Sequence, residues 1–394
     1  MTPRTRPTIL PPLMALEAHH MGQVAAAVRA QIERSGGWID FADYLRTVLY
    51  APGLGYYSAG AAKFGAQGDF VTAPELSELF GRCVARQCAQ VLTTAPSDML
   101  ELGAGSGRLA ATVLTALAAD DALPRHYYIL EVSADLRARQ RALLAQLPAA
   151  LAARVQWLDA LPPQPLRGVV LANEVADALP FTRFAVAEGG FHARGVALGG
   201  DGEFIDADRP APPALRVELE RLSFGLPQPF ADGYVSELCT LLNPWIASLG
   251  AALAEGIILL LDYGLPRGEY YHAQRSSGTL RCHFRQRAHD DPFVYPGLQD
   301  ITAWVDFTRV AEAAADANLA VAGYCTQTAF LLATGIEAAV AAAATDRARA
   351  QLASQARQLL LPGEMGENFK VMALTRDFPA PLIGFAYQDL RRLL

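Results

Sequence analysis

The stretch Asp98-Met-Leu-Glu-Leu-Gly-Ala-Gly-Ser-Gly107 constrains the fold of this chain more than any other. A short apolar strand, Met99 to Leu102, runs into glycines at 103, 105 and 107, and a helical pattern begins at Arg108. Glycine reaches positive φ without a Cβ penalty, so the chain turns sharply and a ligand can lie on the amides at the helix start. That is the first strand-loop-helix of a nucleotide-type site. A dinucleotide fingerprint reads G-x-G-x-x-G, its third glycine packing helix on sheet; here the spacing is E-x-G-x-G-x-G, with Glu101 two residues before Gly103. A purely structural glycine turn is the alternative.

With 394 residues, 52% of them apolar, the chain can bury a substantial core as one large or two ordinary domains. A net charge of -7 provides no global attraction to nucleic acid or to an anionic membrane, so neither is an expected partner. Cys83, Cys88, Cys239, Cys282 and Cys325 are scattered, odd in number and free of any C-x-x-C, which argues against a disulfide framework and a zinc site. His283, His289, Asp290 and Asp291 share one stretch and lack the separated-element spacing of a metal centre, so no metal is expected. The N-terminus has Arg4 and Arg6 but no apolar signal region. The longest apolar run, Leu319 to Ala344, is broken by Gln327, Gly335 and Glu337, so no membrane span is expected. Lys63 and Lys370 are the only lysines, and arginine and alanine are abundant, a coding bias that suggests a bacterial, cytoplasmic protein.

Along the chain, helical patterns cover Gly22 to Arg34, a segment from Asp40 with Phe41, Tyr44, Leu45, Val48 and Leu49 on its apolar face, and Glu75 to Leu92. Strands at 99–102, 127–131, 155–158, 168–172 and 257–261 then alternate with helices at 108–119, 133–146 and 234–254, the signature of a parallel sheet covered on both faces. Gly189-Gly190 lies between alternating runs, which predicts a hairpin inserted over 182–232. Residues 263–300 form a loop too long for a simple connection. A helix over 302–317, a strand near 320–325, helical structure over 335–360 and a strand over 369–375 complete the sheet. The fold class is therefore α/β, with a Rossmann-like, mostly parallel seven-stranded core. Its parts are an N-terminal helical cap with a cofactor-covering loop (1–95), a first core segment (96–181), the inserted hairpin (182–232) and the rest of the core (233–394) with its substrate-side loop 263–300.

Ligands in open α/β sheets bind beyond the carboxyl ends of the strands. Glu131 ends the second strand, where a carboxylate can accept both hydroxyls of a ribose, or can merely precede a helix cap at Ser133. Asp159, after the third strand, stands where an adenine-facing residue would, or in an ordinary turn. The fourth strand ends in Asn173, Glu174 and Asp177, polar groups that need protein partners or a ligand, unless they cap a following helix. Asp69 and Thr72 lie in the loop expected to fold over the cofactor, while Thr72 and Glu75 also have capping-box spacing. Asp262, Tyr263 and Gly264 end the fifth strand facing the same crevice.

The glycine loop with Glu101 resembles motif I of class I S-adenosylmethionine (SAM) methyltransferases. More specifically, Leu54-Gly-Tyr-Tyr-Ser58, Gly68-Asp-Phe-Val-Thr-Ala-Pro-Glu-Leu-Ser77, Glu101-Leu-Gly-Ala-Gly-Ser-Gly107, Ala172-Asn-Glu-Val-Ala-Asp-Ala-Leu-Pro180, Asp262-Tyr-Gly264 and Asp300-Ile-Thr-Ala-Trp-Val-Asp-Phe307, in this order, resemble the MidA-type SAM-dependent methyltransferases. The resemblance spans residues 35 to 375. It implies SAM as cofactor, with contacts from Gly103, Gly105, Gly107 and Glu131; Glu101 and Ala104, in the same string, are further candidates for binding it. It also implies an acceptor-side role for Asn173, Glu174 and Asp177, and a protein arginine as acceptor, a respiratory-complex subunit among the candidates. Compartments consistent with it are the bacterial cytoplasm or, in a eukaryote, the mitochondrial matrix. Ala104 stands where that family often has proline, and Val175 and Ala176 where aromatics are common. A guanidinium acceptor would need carboxylates to orient it, which Glu174 and Asp177 can provide. A non-catalytic assembly chaperone with the same fold and a nicotinamide-dependent oxidoreductase are the alternatives.

Overall fold

The computed structural model describes residues 10–59 and 72–394. They form two compact units, each built from three stretches of sequence: Thr72–Asp177, Leu241–Tyr270 and Trp304–Leu394 in one, and 10–59, Ala178–Thr240 and Tyr271–Ala303 in the other.

The first unit is organised on seven strands: β1 (Asp98–Leu102), β2 (Tyr127–Leu130), β3 (Val155–Leu158), β4 (Leu166–Asn173), β5 (Leu253–Leu265), β6 (Ala320–Thr326) and β7 (Phe369–Arg376). They hydrogen-bond in the order β6-β7-β5-β4-β1-β2-β3. Pairs among β1 to β5 are parallel, and β7 runs antiparallel to β5 and β6. A short strand, Val305–Asp306, pairs with the end of β5. Strands covered on both faces need continuous apolar runs, and these have them: every residue of β1 is buried, as are Val169 to Leu171 of β4 and Ile257 to Leu259 of β5. Helix Glu78–Leu92 starts where Ser77 Oγ accepts from Leu79 N at 3.2 Å, and with helix Arg108–Ala119 it contributes Phe80, Val84, Val113 and Leu114 to the sheet's core. Because β2 and β4 flank β1, the chain leaves β1 and β4 in opposite directions, and a crevice opens at their carboxyl ends.

The other unit carries an antiparallel four-stranded sheet in the order Phe204–Pro210, Gly190–Leu198, Thr182–Ala187, Val235–Leu238, and a three-stranded sheet of Arg287–His289, Arg281–Phe284 and Asp300–Thr302. Helices Ala15–Arg34 and Phe41–Tyr50 pack in it, with Phe41, Tyr44, Leu45, Val48 and Leu49 buried among Val24, Val28, Phe181, Val196 and Ile301. Its buried Glu237 accepts from Thr279 N at 2.8 Å and from Leu280 N at 3.4 Å.

Several sequence expectations change here. The helix drawn over 234–254 begins as strand Val235–Leu238, because that run finds a ladder partner in Thr182–Ala187; the helix is Leu242–Ala252, and β5 already starts at Leu253. The hairpin segment 182–232 holds three strands and helix Pro213–Phe224, and the loop 263–300 holds strands of its own. The boundary at 95 does not match the contacts either, since the apolar face of Glu78–Leu92 belongs to the sheet's core. Asp69 lies outside the described residues.

Gly168 and Gly256 face each other across β4 and β5 at φ 134° and 128°; a Cβ on Gly168 would stand 2.1 Å from the Asp98 carbonyl oxygen, and one on Gly256 2.0 Å from that of Gly168. Gly168→Ala combines a steric clash with a backbone region closed to side chains, so urea unfolding is expected to show a loss of at least about 2 kcal/mol.

Candidate active site

The glycine loop takes the form the spacing requires. Gly103, Gly105 and Gly107 all have positive φ (58°, 53° and 88°), and Gly107 is the N-cap of helix Arg108–Ala119. Gly103 N donates to Leu130 O of β2 at 3.0 Å, and Gly107 N to Ala104 O at 2.8 Å. A Cβ on Gly107 would sit 3.4 Å from Gln140, and one on Gly103 3.4 Å from Val175 Cγ2. The loop thus offers bare backbone at the helix start, with Gln140 and Val175 at van der Waals distance from where a Cβ would stand.

Gln140 holds the underside together. Fully buried, it donates from Nε2 to Gly105 O at 2.9 Å and to Glu131 Oε2 at 3.1 Å, and its Oε1 accepts from Trp157 Nε1 at 2.9 Å. Glu131 Oε1 accepts from Ser133 N at 2.9 Å. The Glu131 carboxylate is thus anchored just beyond the end of β2. Val132, next to it, is 78% exposed, an apolar side chain standing out of the surface.

At the end of β4 the chain makes a turn, not a helix, so Glu174 and Asp177 are not helix caps. Glu174 sits at φ 53° and its N–H donates to Leu261 O at 2.9 Å. The next three amides, of Val175, Ala176 and Asp177, donate to one oxygen, Asp262 Oδ2, at 3.2, 2.8 and 3.2 Å. Asp262 Oδ1 accepts from Tyr263 N at 2.9 Å, and Tyr263 Oη lies 3.5 Å from Glu174 Oε2. Burial pushes the Asp262 carboxyl up to about 7, against the pull of its four backbone donors. Asn173 Nδ2 donates to Glu174 Oε1 at 3.1 Å, while its Oδ1 is buried with no hydrogen-bond partner among the described residues.

Gly103, Ala104, Gly105, Gly107 and Glu131 therefore share one cradle, and the Asn173–Asp177 turn reaches it through Val175. Thr72 is buried at the start of helix Ala73–Leu76 but makes no capping bond. Glu75 does not complete a capping box: it accepts from Ser106 Oγ within the glycine loop and pairs with Arg108 Nε at 3.0 Å. Asp159, its side chain 91% exposed, pairs with Arg137 Nη1 at 2.7 Å, and Arg137 Nε donates to Glu131 O at 2.7 Å. Gln140 and Val132 are not marked by the sequence, and Asp262 is placed by it at the crevice without a role of its own. A carboxylate closing a buried strand was the available signal for Asp262; nothing local marks Gln140, whose partners come from three other elements.

This sheet order, with a glycine loop after β1 and an anchored carboxylate after β2, defines a class I methyltransferase fold. Residues 83–325 match the family described as "Putative S-adenosyl-L-methionine-dependent methyltransferase", and the chain belongs to that family. A crystal structure of a superfamily member from Burkholderia thailandensis bound to S-adenosyl-homocysteine superposes with a TM-score of 0.92 at 44% identity, over 98% of this chain and 100% of that one. The Drosophila melanogaster protein arginine methyltransferase NDUFAF7 homolog, mitochondrial, is 29% identical over 93% of this chain and 89% of its own length. Its human counterpart is 26% identical over 86% and 81%. The protein is a SAM-dependent methyltransferase, and the positive-φ glycine cradle fits that cofactor. Among the described residues no cluster of three metal-ligating side chains occurs, and no helix is long and apolar enough to cross a membrane.

Glu101 lies beneath the cradle, wholly buried, its Oε2 accepting from Tyr127 Oη at 2.7 Å. Burial, reinforced by nearby Glu131, raises it from the ordinary 4.5 to about 7, with the Tyr127 hydroxyl opposing. Between these two values the folded chain holds a proton that the unfolded chain has released, so stability falls as pH rises from 4.5 to 7 and levels off above. Relative to Glu101→Gln, the native protein is expected to lose about 3 kcal/mol across that window, read from urea melts at successive pH values. Parallel curves would contradict this assignment.

Proposed function

We propose that this enzyme methylates a protein side chain, with arginine as the first acceptor and a bacterial respiratory-complex subunit as the first protein in which to seek it. The carrying observation is the juxtaposition of the glycine cradle with a turn bearing Glu174 and Asp177, Val175 lying against Gly103. The names of the Drosophila and human relatives support arginine. The arginine bias of the sequence and its likeness to a Burkholderia protein support the bacterial cytoplasm as its compartment.

When bound, SAM supplies an electrophilic methyl on a sulfonium. The acceptor nitrogen's lone pair forms the new C–N bond as the C–S bond breaks, its electrons staying on sulfur to give S-adenosylhomocysteine, and a proton leaves the nitrogen. In this reading Gly103, Ala104, Gly105 and Gly107 offer backbone to the cofactor, Glu131 takes the ribose hydroxyls and Val132 covers the adenine face. Asp159 and Thr72 border that pocket, and Glu101 supports the loop from below. Glu174 and Asp177 hold the guanidinium by charge-assisted hydrogen bonds and receive its proton, while Asn173 Oδ1 orients one of its N–H groups.

Incubation with methyl-labelled SAM and arginine-containing peptides, followed by mass spectrometry, tests the acceptor: label on arginine is expected, and label confined to another residue type refutes arginine. Glu174→Gln with Asp177→Asn is expected to cut transfer by at least about 100-fold while SAM affinity in calorimetry stays within about threefold. Val132→Asp is expected to do the reverse, weakening SAM about tenfold with little effect on transfer at saturating SAM.

A further inference from the structure

We infer that Asp262 is a positioning residue for methyl transfer: from β5 its carboxylate grips the main chain of the turn after β4 and so sets where Glu174 and Asp177 point. This rests on the reading above that the turn carries the acceptor groups. The accounting of amides supports it. Glu174 N is taken by Leu261 O, and Val175, Ala176 and Asp177 N all converge on Asp262 Oδ2, so four consecutive donors of the turn end on two adjacent residues of β5. Three donors on a single carboxylate oxygen form an anion nest, built here from the protein's own side chain. The nest needs this help. Glu174 occupies the left-handed region, which a glutamate does not favour, and the conformation persists only if its surroundings enforce it.

The carboxylate is itself immobilised. Asp262 is buried, its second oxygen is held by Tyr263 N, and the Tyr263 ring lies 3.9 Å from that of Phe369, the β7 residue in register with it. The Tyr263 hydroxyl approaches the Glu174 carboxylate at 3.5 Å, so Asp262 fixes the turn's main chain while Tyr263 reaches its first carboxylate. A displacement of about 1 Å in groups that orient a nucleophile costs on the order of 100-fold in rate. Asp262 controls a displacement of that size without touching substrate.

The test uses the full chain with Asp262→Ala and Asp262→Asn, arginine-containing peptides and labelled SAM. Asp262→Ala is expected to lower kcat about 100-fold with the KM for SAM changed less than about threefold, and Asp262→Asn, which keeps an acceptor oxygen, to recover to within about tenfold of the native rate. In parallel, hydrogen exchange in the presence of S-adenosylhomocysteine alone is expected to speed up at the amides bound by the Asp262 carboxylate, those of Val175, Ala176, Asp177 and Tyr263, and nowhere else in the sheet. A native kcat in Asp262→Ala, or a kcat loss matched by equal loss of SAM affinity, overturns the inference. If the alanine variant does not fold, Asp262→Asn decides through exchange: faster exchange confined to these four amides supports the inference, and unchanged exchange overturns it. If the native protein binds SAM but methylates no peptide, the acceptor reading fails, and the exchange measurement still decides whether Asp262 holds the turn.

Discussion

A backbone N–H withdrawn from water needs an acceptor, and the four that follow β4 find theirs on β5. This requirement shapes the carboxyl edge of the sheet. The first amides beyond a strand lack partners whether a helix or an open turn follows, since the first N–H groups of a helix have no intrahelical acceptor; here the turn borrows acceptors from a neighbouring strand. β5 lies beside β4 and runs parallel to it, so its terminal residues emerge level with the turn. The price is a buried carboxylate, stabilised by hydrogen bonds and not by a countercharge.

The same economy recurs under the glycine loop, where Gln140 links helix Ala134–Leu144 to the loop carbonyl of Gly105, to the carboxylate ending β2 and to the indole on β3. A neutral amide suits this place, since it donates and accepts at once and adds no third charge beside Glu101 and Glu131. In the other unit Glu237 binds the amides of Thr279 and Leu280. Buried acids in this protein thus serve chiefly as acceptors for main-chain and hydroxyl donors.

The sheet was legible in the sequence because parallel strands buried on both faces are apolar runs that alternate with amphipathic helices, and the glycine loop because its residues allow few other conformations. The inserted unit was not. Val235–Leu238 has a composition compatible with either state, and only pairing with Thr182–Ala187 makes it a strand. Glu75 matched a local capping pattern, yet its carboxylate is engaged by Ser106 and Arg108, some thirty residues onward in sequence, and local spacing cannot reveal that. Asn173, Glu174 and Asp177 stood out as polar groups after an apolar strand. Their geometry depends on Asp262, and that dependence is tertiary.

Asp262 binds the turn through amide hydrogens alone, which every residue except proline supplies. The identity of the side chains at 175 and 176 therefore does not enter the hydrogen bonds of the frame that carries Glu174. On the proposed reading of this turn, a lineage could reshape the wall of its acceptor cleft at Val175 and Ala176 and keep its chemistry in register. On that reading one five-residue turn serves both recognition and transfer, with the side chains at 175 and 176 free to alter the first while the main chain holds the proposed acceptor groups of the second in place.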